Sequence, residues 1–189
     1  MTDAIIPRQN RDQINNYREQ GLVLNETLAT WVERNASEHG SKPAIITSSS
    51  ALSYDDLSKN VYSLAAGLQS LELGKGDIIA VQLPNIPEYI ISYLAIASIG
   101  GLMQTLHMPY RKSELEYLLK DSQAAATICL SQFKEHEPAS VFLQIKNSME
   151  SSMHVISVGE PYKSAISFTE LLSTPVKHNK EDISAEDPF

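Results

Sequence analysis

The sequence predicts an α/β fold in which a mostly parallel sheet is flanked by helices. Apolar, β-branched runs of five to seven residues recur at 43–47, 77–83, 102–106, 125–130 and 154–158. Several are apolar on nearly every residue, as strands covered on both faces are. Between them lie longer segments whose apolar residues recur at spacings of three and four, the helical period. Strands alternating with helices in this way call for a layered α/β domain with parallel strands.

Composition sets the limits. At 189 residues the chain is one domain or a large piece of a bigger one, long enough to bury a substantial core. An apolar fraction of 42% with 20% charged residues excludes global disorder. A net charge of −8 excludes a nucleic-acid partner bound through a basic face. The longest stretch without formal charge, Tyr89 to Tyr110, is broken by Ser92, Ser98, Gly100, Gly101 and Gln104, so it reads as core and not as a transmembrane segment. The opening MTDAIIPRQNRDQ has no basic start followed by an apolar block, so no secretory signal is expected. A single cysteine, Cys129, rules out an internal disulfide framework. The expectation is an acidic cytoplasmic protein.

Residues 1–24 read as a polar, irregular arm, 25–173 as the α/β subdomain and 174–189 as a polar linker. From Asn25, Leu28, Trp31, Val32 and Ala36 mark a helix that Gly40 stops. Pro43–Thr47 and Leu52–Tyr54 are short strands about a Ser48–Ser50 turn. Ser53 is an N-cap with Asp55 and Asp56 in the first turn, where the helix dipole favours negative charge. Leu57, Val61, Leu64, Leu68 and Leu71 then form one stripe of a helix expected to run to Gly74. Asp77–Leu83 is a buried strand, and Pro84 and Pro87 introduce a helix from Ile86 to Ile99 that is apolar almost all round. Gly100-Gly101 ends it, Leu102–Leu106 is a strand, and Pro109 closes that strand. A helix stopping near Asp121, a strand at 125–130, a helix at 138–149 and a strand at 154–158 follow. Ser167-Phe-Thr-Glu170 has capping-box spacing before Leu171-Leu172.

Candidate chemistry is sparse. Gly74-Lys-Gly-Asp77 suggests a phosphate loop, but Gln69 stands where its first glycine belongs and Gly76 where a Ser or Thr belongs. It also closes a helix instead of opening one, so a turn is expected. Thr47-Ser-Ser-Ser50 carries hydroxyls without a glycine and reads as a tight turn. No histidine among His39, His107, His136, His154 and His178 has a second His or Cys two to five residues away, so no metal cluster is expected. Cys129 sits mid-strand as a small buried hydrophobe. Glu114, Glu116, Asp55 and Asp56 occupy exposed or capping positions, leaving acid–base catalysis without an owner. Parallel sheets bind ligands beyond the carboxyl ends of their strands, which makes Asn85 and His107 the substrate-pocket candidates.

Seven segments in order resemble the adenylate-forming (AMP-binding) superfamily, which includes acyl-CoA synthetases and aryl-acid AMP ligases. They are Leu52-Ser-Tyr-Asp-Asp-Leu57, Ala65-Ala-Gly-Leu68, Gly74-Lys-Gly-Asp77, Val81-Gln-Leu-Pro-Asn85, Leu94-Ala-Ile-Ala-Ser-Ile-Gly-Gly101, Tyr110-Arg-Lys-Ser-Glu-Leu115 and Leu119-Lys-Asp-Ser122. Tyr17-Arg-Glu-Gln-Gly21 with Glu26-Thr-Leu28 is similar to the entry segment of aryl-acid and cyclic-acid activating members. In this family a segment like Ile183–Phe189 leads into a strand and a Thr/Ser/Gly-rich loop that grips the ATP phosphates.

The resemblance implies the N-terminal part of an acid–thiol ligase, inactive alone, whose nucleotide site and catalytic lysine lie downstream. The full enzyme would use ATP, magnesium and CoA to turn a small carboxylic acid into an acyl-adenylate and then a thioester. Its partner would be the remainder of the same chain, and the face meant for it would favour self-association of the isolated piece. A stand-alone binding module and an aryl-acid AMP ligase loading a carrier-protein thiol are the alternatives.

Overall fold

A computed structural model of the chain describes residues 11–23, 26–173, 183–185 and 187. Its centre is a five-stranded sheet of β3 (Ile78–Gln82), β4 (Leu102–Thr105), β5 (Ala126–Leu130), β6 (His154–Val158) and β7 (Ile166–Ser167). Every pairing is parallel and the order is β4-β3-β5-β6-β7. The chain leaves β3 for β4 through α4 (Pro87–Ser98), then returns past β3 to β5 through α5 (Lys112–Ser122), and reaches β6 through α6 (Pro138–Ser148). Progress across the sheet therefore reverses beside β3. Because such crossovers are right-handed, the reversal sends α4 to one face and α5 and α6 to the other.

The two cores follow from this winding. Ile79, Val81, Ala126, Ile128 and Ile156 pack with α4 and with α3 (Tyr54–Ser70) on one face. Ala80, Cys129 and Val155 meet Leu115, Leu119, Phe142 and Ile145 of α5 and α6 on the other. The alternation along each strand is the two-residue period of the pleat. Val61, Leu64 and Leu68 of the α3 stripe are wholly buried, each contributing roughly 1.5–3 kcal/mol of transfer free energy. Outside α3 lie α2 (Leu28–His39), α7 (Phe168–Ser173) and the antiparallel hairpin of β1 (Pro43–Ile46) and β2 (Ala51–Ser53). Gly67 admits α7: a Cβ there would stand 2.9 Å from Leu171 Cβ and 3.0 Å from its carbonyl oxygen.

Three local expectations change. The arm is not irregular throughout, because Arg11–Glu19 forms α1, in which Gln13 Nε2 donates to Tyr17 Oη at 3.2 Å. Just beyond the helix, Gln20 Nε2 donates to Asn16 Oδ1 at 2.8 Å. Polar pairs four residues apart support a helix that carries no apolar stripe. The helix expected to run to Gly74 ends at Ser70, because Glu72 takes a left-handed φ of 62°. Leu73 N–H then reaches back to Leu68 O at 3.2 Å and Glu72 N–H to Gln69 O at 3.0 Å, a Schellman closure that returns Leu73 to the core. The third is β7, whose two residues are too short to show periodicity.

The remaining elements match the sequence reading. Ser53 Oγ accepts the Asp56 N–H and the Asp56 carboxylate reaches the Ser53 N–H, a complete capping box. Ser167 Oγ accepts the Glu170 N–H at 3.3 Å at the start of α7. Gly100 has φ 70° and ends α4 as a glycine can. Residues 1–10 and 24 of the arm, Asn25, and 174–182, 186 and 188–189 of the linker with His178, lie outside the described residues.

Candidate functional site at the carboxyl edge of the sheet

Strands β3, β4 and β5 all end on one edge, beside the point where the winding reverses. In doubly wound sheets this is where ligands bind. Gln82 closes β3 and is 3% exposed. Its Nε2 donates to His107 O at 2.8 Å and more weakly to Tyr110 O at 3.5 Å, tying the loop after β4 to β3. Arg111 secures the same loop from within: its Nη1 reaches the carbonyls of Met108, Pro109 and Tyr110 at 3.1, 2.8 and 3.2 Å. Its Nη2 lies 3.3 Å from His136 Nε2 in the loop after β5. Between these loops is a pocket of about 80 Å³ lined by Gln82, Tyr110, Leu115, Phe133 and Val141, with Arg111, His136 and Glu137 also at its wall.

Helix starts surround this edge. Glu114 in the first turn of α5 accepts the Arg111 N–H at 3.1 Å, and backbone amides with the Ser113 hydroxyl hold its carboxyl below the ordinary range. The Glu137 carboxylate, at the N-terminus of α6, accepts the Tyr162 hydroxyl at 2.6 Å. Lys163 Nζ stands 4.8 Å from the Tyr162 ring, and hydrogen bonding and charge at Tyr162 raise its ammonium pKa.

Both sequence candidates stand on this edge. Asn85 is exposed in the turn between β3 and α4, and His107 is exposed two residues after β4. The His107 ring meets Tyr110 edge-on, with centroids 5.4 Å apart and planes at 71°. The residues that sequence reasoning passed over are Gln82, Arg111 and His136. Gln82 left a signal, being the one polar residue at the end of Ile-Ile-Ala-Val-Gln82. Arg111 and His136 are 25 residues apart, and only the neighbouring placement of β4 and β5 about β3 brings them together.

The other histidines and the cysteine serve elsewhere. His39 is the last residue of α2 with its ring tilted against Tyr54 at 5.8 Å, and His154 opens β6. Cys129 is fully buried, and burial pushes its thiol pKa up, away from the nucleophilic thiolate. Among the described residues no three His, Cys, Asp or Glu side chains gather as a metal site, and no helix is long and apolar enough to cross a membrane.

Neither hydroxyl- or glycine-bearing turn fits a triphosphate. In Gly74–Asp77 the Gly74 N–H donates to Asp77 Oδ2 at 2.8 Å and the Gly76 N–H to Gly100 O at 2.9 Å. In Thr47–Ser50 the amides of Ser49 and Ser50 both donate to Thr47 Oγ1. A phosphate cradle needs such amides free and convergent.

Comparison with known proteins agrees with this architecture. The 2,3-dihydroxybenzoate-AMP ligase of Bacillus subtilis is 29% identical over 161 residues, covering 85% of this chain and 30% of that protein. A long-chain-fatty-acid–CoA ligase of the same species is 37% identical over 106 residues, 56% of this chain and 19% of that one. Among solved structures, apo Mycobacterium smegmatis MbtA superposes with a TM-score of 0.80 at 21% identity, over 95% of this chain and 33% of that chain. The anthranilate CoA ligase AuaEII bound to anthranoyl-AMP gives 0.73 at 20% identity, over 89% and 32%. The chain thus spans a third or less of each of these proteins. The family described as AMP-binding enzyme matches residues 32–189. This chain belongs to the AMP-binding family of adenylate-forming ligases.

Proposed function

We propose that these residues form the N-terminal part of an acid–thiol ligase that activates a small carboxylic acid with ATP as an acyl-adenylate and passes the acyl group to CoA. The supporting observation is the register of the seven motifs between Leu52 and Ser122 on a doubly wound sheet, inside a family match that runs from 32 to 189. Activation solves a leaving-group problem: a carboxylate cannot expel an oxide dianion, whereas an acyl-adenylate expels AMP. ATP phosphates and magnesium would be held by the rest of the ligase. What this part supplies is one wall of the acid site, with Asn85 and His107 on the carboxyl edge and Gln82 and Arg111 fixing the loop that presents His107.

A second reading stands level with the first. The 2,3-dihydroxybenzoate-AMP ligase aligns over 85% of this chain at 29% identity, and the medium-chain fatty-acid–CoA ligase of Escherichia coli over 83% at 28%. In that reading the acid is aromatic and the acceptor is a carrier-protein thiol. The two share the first half-reaction. The test is pyrophosphate release by the full-length protein over a panel of aliphatic and aromatic acids, followed by CoA or a carrier protein as acceptor. Acid-dependent release supports the ligase reading; a folded full-length protein that releases none with any acid refutes it.

A further inference from the structure

Two glycine motifs meet at the amino edge of the sheet. Gly74–Asp77 leads into β3 and Gly100-Gly101 into β4. They are interlocked: the Gly76 N–H donates to Gly100 O at 2.9 Å and the Leu102 N–H to Asp77 O at 2.8 Å. Lys75 crosses this junction. A Cβ on Gly100 would lie 3.1 Å from both Cβ and Cγ of Lys75, so the bare glycine is what lets the lysine stem pass. The stem's far end carries Nζ to Asp187 Oδ2 at 2.7 Å, across 112 positions of sequence. The same Oδ2 accepts the Ser184 N–H at 2.8 Å, and the Asp187 N–H returns to Ser184 O at 3.1 Å. The Asp187 side chain is 26% exposed, and the ammonium with the Ser184 amide holds its carboxyl below the usual range.

We propose that Lys75 is a positioning residue that docks the C-terminal tail on the amino edge of the sheet through Asp187. The turn that resembles a phosphate loop is then a fixed platform for the chain's own exit segment. Its consequence rests on the ligase reading above. A strand starting beside this edge and running parallel to β3 releases its following loop at the carboxyl edge, the side of Asn85 and His107. Docking Asp187 would set where the phosphate-gripping loop arrives.

Amide hydrogen exchange on the 189-residue chain tests the docking without any activity. In Lys75→Ala the amides of Ser184 and Asp187 should exchange roughly two- to five-fold faster, the range a partly exposed ion pair supports, while β3 amides stay unchanged. Lys75→Arg should retain protection. Asp187→Asn leaves the platform intact and should match Lys75→Ala, as should wild type in molar salt. Exchange at Ser184 that is the same in wild type, Lys75→Ala and Asp187→Asn overturns the proposal. In the full-length protein, docking predicts that Asp187→Asn and Lys75→Ala each raise KM for ATP and that Lys75→Arg does not. Altered exchange in a protein with no ligase activity overturns the ligase reading and leaves the docking standing.

Discussion

Gln82 Nε2 donates to the carbonyl of His107 at 2.8 Å, so a buried amide at the end of β3 holds the loop that carries the exposed histidine. Leucine at position 82 matches the amide in volume and donates nothing. His107 O keeps only the Tyr110 N–H at 3.1 Å. Gln82→Leu is expected to cost about 1 kcal/mol in urea unfolding, the typical net worth of the hydrogen bond it removes. Amides of 106–111 should lose exchange protection with it.

Position 67 separates packing from propensity. Alanine gains about 1 kcal/mol over glycine inside a helix. At Gly67 its Cβ would press on Leu171 Cβ and carbonyl oxygen at 2.9 and 3.0 Å, and a backbone oxygen does not yield as a side-chain tip does. Overpacking of about 1–3 kcal/mol should win. Gly67→Ala is expected to lower stability by about 1 kcal/mol, whereas Gly74→Ala, where a Cβ meets open space, should be neutral.

Asp56 gives the stability an acid limb. Hydrogen bonds from the Ser53 hydroxyl and the Ser53 amide hold its carboxyl below the ordinary aspartate value. A depressed folded pKa contributes stability that is present above the unfolded pKa and lost as pH falls through the folded one. Unfolding free energy should therefore decline from about pH 4 downward, and Asp56→Asn should flatten that part of the profile. An unchanged acid limb would remove Asp56 as its source.

His107 is exposed, with its ring edge-on to Tyr110, so His107→Ala should change stability by less than about 1 kcal/mol. In a full-length ligase it should raise KM for the acid, and Asn85→Ala should act in the same direction. Unchanged kinetics would return both residues to loop structure.

What the sequence disclosed follows from the range of each interaction. The α3 stripe, the Ser53 cap and β6 depend on neighbours within a few residues, and all were legible. The end of α3 was not, because Glu72 accepts a strained φ so that Leu73 can be buried, and burial is decided by the rest of the core. Helix α1 was missed because its support comes from polar pairs and not from an apolar stripe. Strand ends alone put Asn85 and His107 at the carboxyl edge, where the structure has them. The Arg111–His136 contact was hidden because it depends on the order β4-β3-β5, which no local pattern encodes.

The central claim is that the triphosphate grip proposed for the ligase is supplied by residues other than those described, since the Gly74 and Gly76 amides of one turn and the Ser49 and Ser50 amides of the other are already engaged. Titrating the 189-residue chain with magnesium-ATP in a calorimeter measures this directly. The account predicts no binding heat up to millimolar nucleotide. Saturable binding at micromolar concentration would contradict it.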